Sequence, residues 1–190
     1  MNASHQRILI ETARKSIEKG LNRPGQEPWM PVHDGVDSSL LEPGAVFVTL
    51  FDHDGQLRGC IGSLQARRPL LDDVAHNAHQ AAFGDHRFPP LTEAELPGLQ
   101  IEISILSPLK PFFPRSESEF FDALVPGVSG LMIRKGVDGA TFLPSVWEQL
   151  PSKSDFFEAL KRKAGINTDG FDPDLEFFIY SVEKIKPDEF

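Results

Sequence analysis

The stretch GAVFVTLFDHDGQLRGCIG, residues 44–62, limits the fold of this chain more than any other. Two apolar segments flank DHDG, and Asp54-Gly55 favours a turn that needs positive φ. The sequence therefore predicts a β-hairpin. Val46, Val48 and Leu50 alternate with Phe47, Thr49 and Phe51. Both sets carry apolar groups, so the first strand reads as central in its sheet.

The remaining elements arrange themselves around that hairpin. SHQRILIETARKSIEKGL repeats Ile8, Thr12 or Ala13, and Ile17 at helical spacing. Gly20 weakens its end, and Pro24 and Pro28 block continuation. A proline-rich arm follows, which Trp29 is expected to pin to the core. A second helix runs from about Pro69 to Phe83, with Leu71, Val74, Ala75, Ala78 and Ala82 as its buried stripe. LQIEISILSPL is a strand with Ile101, Ile103 and Ile105 on one face and Gln100, Glu102 and Ser104 on the other. KPFFPRSESEFFDALVPG reads as a connection with aromatic anchors and a short helix. A second hairpin is expected around Val137-Asp138-Gly139. A helix capped by Ser152 and Asp155 buries Phe156, Phe157 and Leu160, and LEFFIYSVEKI closes the chain as a strand. This order fits an α+β fold better than a βαβ series. The expected architecture is a mixed, largely antiparallel sheet flanked by helices, with a smaller packed lobe.

Composition narrows the function. The chain has 190 residues, 40% hydrophobic and 25% charged, and one cysteine. That is an ordinary globular mixture with no internal disulfide, suited to a reducing compartment. A formal net charge of −9 disfavours nucleic acid. MNASHQRILI lacks the basic flank and long apolar run of a signal peptide, and no stretch has the length of a membrane span. A cytoplasmic protein is expected. No G-x-G-x-x-G or phosphate-loop motif is present.

The candidate chemistry centres on LRGCIGSL. If Arg58 and Cys60 share an unbroken strand, they face the same side, and a guanidinium at that range favours a thiolate. Gly59 and Gly62 let another group approach, and their N–H groups and the Ser63 hydroxyl suit an anion or oxyanion. The alternative is inert: a small buried cysteine between glycines that mark crowded packing. In DVAHNAHQAAFGDHRFPPL, His79 or His86 has the pKa range of a general base for Cys60. On the helix, however, His76 lies well round from the apolar stripe and His79 on its border, with Asp72 a turn before His76. Arg87 can pair with Asp85 or a carbonyl. His76 and His79 have the spacing to share a helix face, and Asp72 or Asp85 could complete a metal set with them, but no metal site is assigned, since neither C-x-x-C nor H-E-x-x-H strengthens the idea. Tyr180 reads as packed with its hydroxyl satisfied.

Three segments together resemble the AMMECR1-domain family, whose bacterial and archaeal members are also called AmmeMemoRadiSam system protein A. They are LRGCIG at 57–62, RFPPL at 87–91, and TFLPSVW at 141–147, which is similar to that family's T-[FY]-L-P-x-V pattern. The resemblance runs roughly from Ala3 to Ile185, leaving 186–190 as a tail. It implies an α+β domain of two lobes that share the chain non-contiguously, with a cleft around Arg58, Cys60 and the residues near His86. It also implies a pathway or complex shared with a MEMO-like protein and a radical-SAM enzyme. The single cysteine gives this chain no iron–sulfur cluster of its own. Two functions follow as expectations. One is an enzyme or enzyme component acting on a small molecule, with Cys60, His79 and His86 catalytic and Arg58, Gly59, Gly62, Ser63 and Arg87 binding substrate or anion. The other is a non-catalytic accessory domain that docks through the LRGCIG and RFPPL surface.

Overall fold

The computed structural model describes residues 1–22, 25, 27–168, 170–172 and 174–186. It is an α+β protein with two antiparallel-rich sheets and helices packed on them. The chain divides into two compact units, Met1–Leu106 with Glu183–Phe190, and Ser107–Val182. Among the described residues, no helix is long and apolar enough to cross a membrane.

In the first unit, β1 (Pro43–Phe51), β2 (Leu57–Gly62), β4 (Gln100–Leu106) and β9 (Val182–Ile185) form a sheet in the order β2-β1-β4-β9, and the short β3 (Arg68–Pro69) pairs with the start of β1. β1 is central, and it is antiparallel to β2, β3 and β4. The expected turn forms: Gly55 has φ +75°, and the Asp52 carboxylate accepts the amides of Asp54 and Gln56 at 3.0 and 2.8 Å. Such a side chain mimics a backbone turn and fixes the hairpin's register.

α1 (Ala3–Leu21) and α2 (Leu70–Phe83) cover one face of this sheet. Asn2 caps α1 through the His5 amide. The α2 stripe expected from spacing is buried, every member at 2% exposure or less. It packs on Val46, Val48, Leu50, Ile101 and Ile103, the apolar sets of β1 and β4. Register aligns them as Val46 with Ile105, Val48 with Ile103 and Leu50 with Ile101. Thr49, Glu102 and Ser104 therefore project from the other face. Asp72 pairs with His33 at 2.7 Å, so the arm and not His76 takes that carboxylate. Trp29 lies half-buried, with the Lys15 ammonium 4.9 Å from its ring centre. Pro24 and positions 187–190 of the tail lie outside the described residues.

In the second unit, β5 (Lys110–Phe112), β6 (Gly130–Lys135), β7 (Asp138–Phe142) and β8 (Glu176–Tyr180) form a sheet in the order β5-β8-β6-β7. α3 (Glu117–Ala123) and α4 (Lys153–Ala164) pack their phenylalanines into its core. Trp147 stacks on Phe156 with ring centres 3.7 Å apart, and its indole N–H donates to the Ser129 carbonyl at 2.7 Å. The Tyr180 hydroxyl is held by Thr141 at 2.8 Å and the Phe142 carbonyl at 3.1 Å.

Three local expectations change here. The second hairpin turns at Gly136-Val137, where Gly136 supplies φ +62°, and Asp138 and Gly139 are already in β7. Residues 110–112 form β5 and are not mere connection, since they pair with β8. LEFFIYSVEKI is two strands, β8 and β9, in different sheets. The break falls at Ser181, which exchanges hydrogen bonds with Ser107 at 2.9 and 3.0 Å in place of a ladder.

Candidate functional site

β2 ends the first sheet, so alternate N–H and C=O groups along it point away from any strand. An exposed row of this kind is a template for unwanted pairing. The segment after α2 fills that role. Asp85 accepts the Cys60 amide at 2.9 Å, and Arg87 Nη2 donates to the Cys60 carbonyl at 3.4 Å. Arg87 also donates to Asp85 from Nε and Nη2, at 2.9 and 2.6 Å. Both outward-facing backbone groups of Cys60 are thus satisfied by one ion pair. The Arg87 bonds hold the Asp85 carboxyl well below the usual carboxylate range against the effect of its burial, and the Cys60 amide adds to this. Asp85 in turn raises Arg87, and a thiolate at Cys60 adds to that shift.

Cys60 itself is half-buried. Its register partner is Thr49, whose hydroxyl donates to Sγ at 3.4 Å, and Thr49 in turn faces Glu102 on β4. Thiol, hydroxyl and carboxylate therefore form a row across three strands, on the face that α1 and α2 leave open. The Glu102 carboxylate, 12% exposed, meets Lys184 at 3.3 Å and Lys186 at 3.5 Å. Thr49 and Glu102 were not singled out from the sequence. The period-two alternation that buries the valines and isoleucines already placed them together opposite those residues.

Arg58 turns to the segment that follows α2. It is 8% exposed, and Nε donates to Glu95 at 2.6 Å while Nη2 donates to the Pro89 carbonyl at 2.9 Å. Glu95 also receives the amide and hydroxyl of Thr92 at 2.8 and 2.7 Å, the reciprocal cap of a short 3₁₀ turn. Arg58 is the main reason the Glu95 carboxyl falls to about 2, with Thr92 reinforcing it against burial. The arginine thus bolts RFPPL and the following turn onto β2. Its outer side borders a recess of about 280 Å³ with Asp52, His53 and Gly98.

The glycines serve space. A Cβ on Gly59 would lie 2.1 Å from the Ala81 carbonyl oxygen of α2, and one on Gly62 would lie 2.3 Å from the Phe47 ring. Ser63 is on the helix side, opposite Cys60. Its hydroxyl donates to the buried Asp73 at 2.8 Å, which also takes the Val46 amide, Asn77 and Arg68. Asp73 continues the β1 hydrogen bonding where β2 stops.

The two histidines part company. His79 is 8% exposed between α1 and α2, with its ring 4.9 Å from that of Phe83 and its Nδ1 without a partner. Burial lowers its pKa, and His76 lowers it further. The sheet lies between His79 and Sγ, so a proton relay from His79 to Cys60 has no direct path. His86 is exposed in the turn between Asp85 and Arg87. Among the described residues, Asp52, His53 and Asp54 bring one donor atom each within 4.8 Å of one another. The Asp52 bonds to amides and the 3.1 Å His53–Asp54 pair account for that cluster as a hydrogen-bonded turn.

A two-unit α+β protein with a clamped, cysteine-bearing edge strand is the class this fold and site define. The family model described as AMMECR1 matches residues 10–185, and the chain belongs to the AMMECR1 family. A protein of Methanothermobacter thermautotrophicus is 32% identical over 183 residues, covering 93% of this chain and 91% of its own. One of Thermotoga maritima is 36% identical over 141 residues, covering 74% and 76%. The crystal structure of an uncharacterised protein from Pyrococcus horikoshii superposes with a TM-score of 0.80 at 30% identity, covering 93% of this chain and 88% of that one.

Proposed function

We propose that the open face of the first sheet, centred on Cys60, is a small-molecule site, and that the chain is an enzyme or enzyme component working alongside a MEMO-like protein and a radical-SAM enzyme. The observation that carries this reading is the position of the thiol. It is half-exposed, on a strand whose backbone is immobilised at that residue by the Asp85–Arg87 pair. The same pair that stands in for a neighbour strand at this edge also holds the thiol in place, from which a ligand contact gains. In this reading Cys60 touches the ligand, with Thr49 and Glu102 beside it, and Arg87 and His86 border it. Arg58, Gly59, Gly62, Ser63 and His79 hold the strand and its helix in place.

A specific observation favours the accessory reading as well. Both motif arginines are engaged by carboxylates of this chain, and His86, Arg87, Pro89 and Pro90 form an exposed, proline-stiffened ridge. Such a ridge suits docking to one of the same two partners.

One experiment separates the two. Metabolite profiles are compared among cells carrying the wild type, Cys60→Ala, and a deletion, with the variant's folding checked by urea unfolding. The small-molecule reading expects Cys60→Ala to reproduce the deletion profile while remaining folded. A folded Cys60→Ala whose profile matches the wild type, while the deletion differs, overturns it in favour of docking.

A further inference from the structure

A recess of about 420 Å³ opens at the end of the first sheet, between the β1–β2 turn, the start of β4 and the residue after β9. Its size falls in the range of small-ligand sites. Its walls are of two kinds. Phe51, Leu99 and Ile101 give an apolar side, while Arg14, Gln100, Glu102 and Lys186 give a polar one. Charge at this place runs against the chain as a whole, which carries −9. Arg14 and Lys186 line it, Lys184 reaches the neighbouring Glu102, and Glu102 is the one carboxylate among the described lining residues. Glu102 is shared between two lysines at 3.3 and 3.5 Å, so it satisfies neither in full. Arg14 spends one nitrogen on the Leu99 carbonyl at 3.2 Å, and that bond fixes its guanidinium at the rim. Among the described lining residues, two cations against one carboxylate leave one net positive charge beside an apolar wall, which suits a molecule with an anionic head.

We infer that this recess binds a small molecule with an anionic head, a phosphate or carboxylate, and a flat apolar body. The head lies between Arg14 and Lys186, and the body lies on Phe51. Glu102 links the recess to the thiol, since it is the register partner of Thr49, whose hydroxyl touches Sγ. The inference rests on the Cys60 reading only for the direction in which the ligand points, and it names the substrate class of that site.

The test is an NMR titration of the full ¹⁵N-labelled chain with phenyl phosphate, benzoate and phenol. Both anions are expected to shift the amides of Phe51, Leu99, Gln100 and Ile101 saturably, and phenol is not. Arg14→Gln and Lys186→Gln should each weaken binding about tenfold, and Arg115→Gln, an exposed cation of the second unit, should leave it unchanged. The Lys186 side chain is 52% exposed, so its replacement leaves the core intact and keeps the test decisive if Arg14→Gln fails to fold. No saturable shift with either anion overturns the inference, as does binding unaltered in Lys186→Gln or equal binding of phenol. The metabolite comparison of Cys60→Ala decides none of these outcomes, so the two ideas fail separately.

Discussion

The glycines of LRGCIG are kept small by what stands opposite them, and the opposing atoms differ in how far they can yield. At Gly59 the obstacle is the Ala81 carbonyl oxygen, backbone of a helix packed on three strands. At Gly62 it is a phenylalanine ring that can turn. At Gly55 nothing stands within 4 Å, and only φ +75° disfavours a side chain. Gly59→Ala must push α2 off the sheet, an overpacking cost of about 2–3 kcal/mol. Gly55→Ala bears a backbone cost of about 1 kcal/mol. Urea unfolding of the two variants checks the order, and equal losses would contradict the close approach of α2 to β2. The pairing of glycines around a cysteine was visible in the sequence. Which group approached them was not, because Ala81 lies 22 positions away and nothing local to either segment encodes their meeting.

The same division between local and distant causes runs through the secondary structure. Both α1 and α2, the first hairpin and the two faces of β4 follow from periods of 3.6 and 2 and from an Asp-Gly turn. The break between β8 and β9 does not, since an apolar run reads alike whether one sheet receives it or two. Likewise the partners of Arg58 and Cys60 are Glu95 and Asp85, 37 and 25 positions off, and spacing within LRGCIG could not name them. β2 depends on these partners as a strand depends on a neighbour. Asp85→Ala leaves the Cys60 amide without its acceptor and the Arg87 guanidinium with only the Cys60 carbonyl. The expected loss is about 2–4 kcal/mol, one buried donor plus a half-exposed ion pair. Asp85→Asn keeps an acceptor for the amide and should lose less. Amide hydrogen exchange gives the direct readout: Cys60 should exchange faster in Asp85→Ala, while Val48 and Ile103, inside the sheet, change only with global stability. Unchanged protection at Cys60 would show that the clamp does not hold the edge.

Acid and alkali act on different parts of this chain, because its shifted groups are sorted by unit. His76 and His79 belong to the first unit, and burial lowers both, with Arg68 acting further on His76 and His76 on His79. A histidine with a lowered folded pKa contributes stability above its unfolded value, near 6.5, and loses it as pH falls through the folded one. Asp85 and Glu95, also in the first unit and also lowered, repeat this below about pH 4. The lowered carboxylates of the second unit, Glu119, Asp172 and Glu176, have partners at least 45% exposed, so solvent screens their contribution. Tyr180 runs the other way. Burial pushes its phenol up to about 12 against the Thr141 bond that lowers it. Its share of stability, about 2–3 kcal/mol, is complete below pH 10 and lost as pH rises through 12. Each unit carries one of the two tryptophans, Trp29 in the first and Trp147 in the second, so fluorescence distinguishes them. Urea midpoints of Trp147→Phe, which reports through Trp29, should fall between pH 7 and 5. Those of Trp29→Phe should hold there and fall between pH 10 and 12. Replacing His79 with Phe, which keeps the aromatic contact with Phe83 and cannot protonate, should flatten the acid limb of the first signal alone. Two tryptophans that lose their midpoints together at both extremes would show that the buried histidines and the buried phenol do not govern their own units.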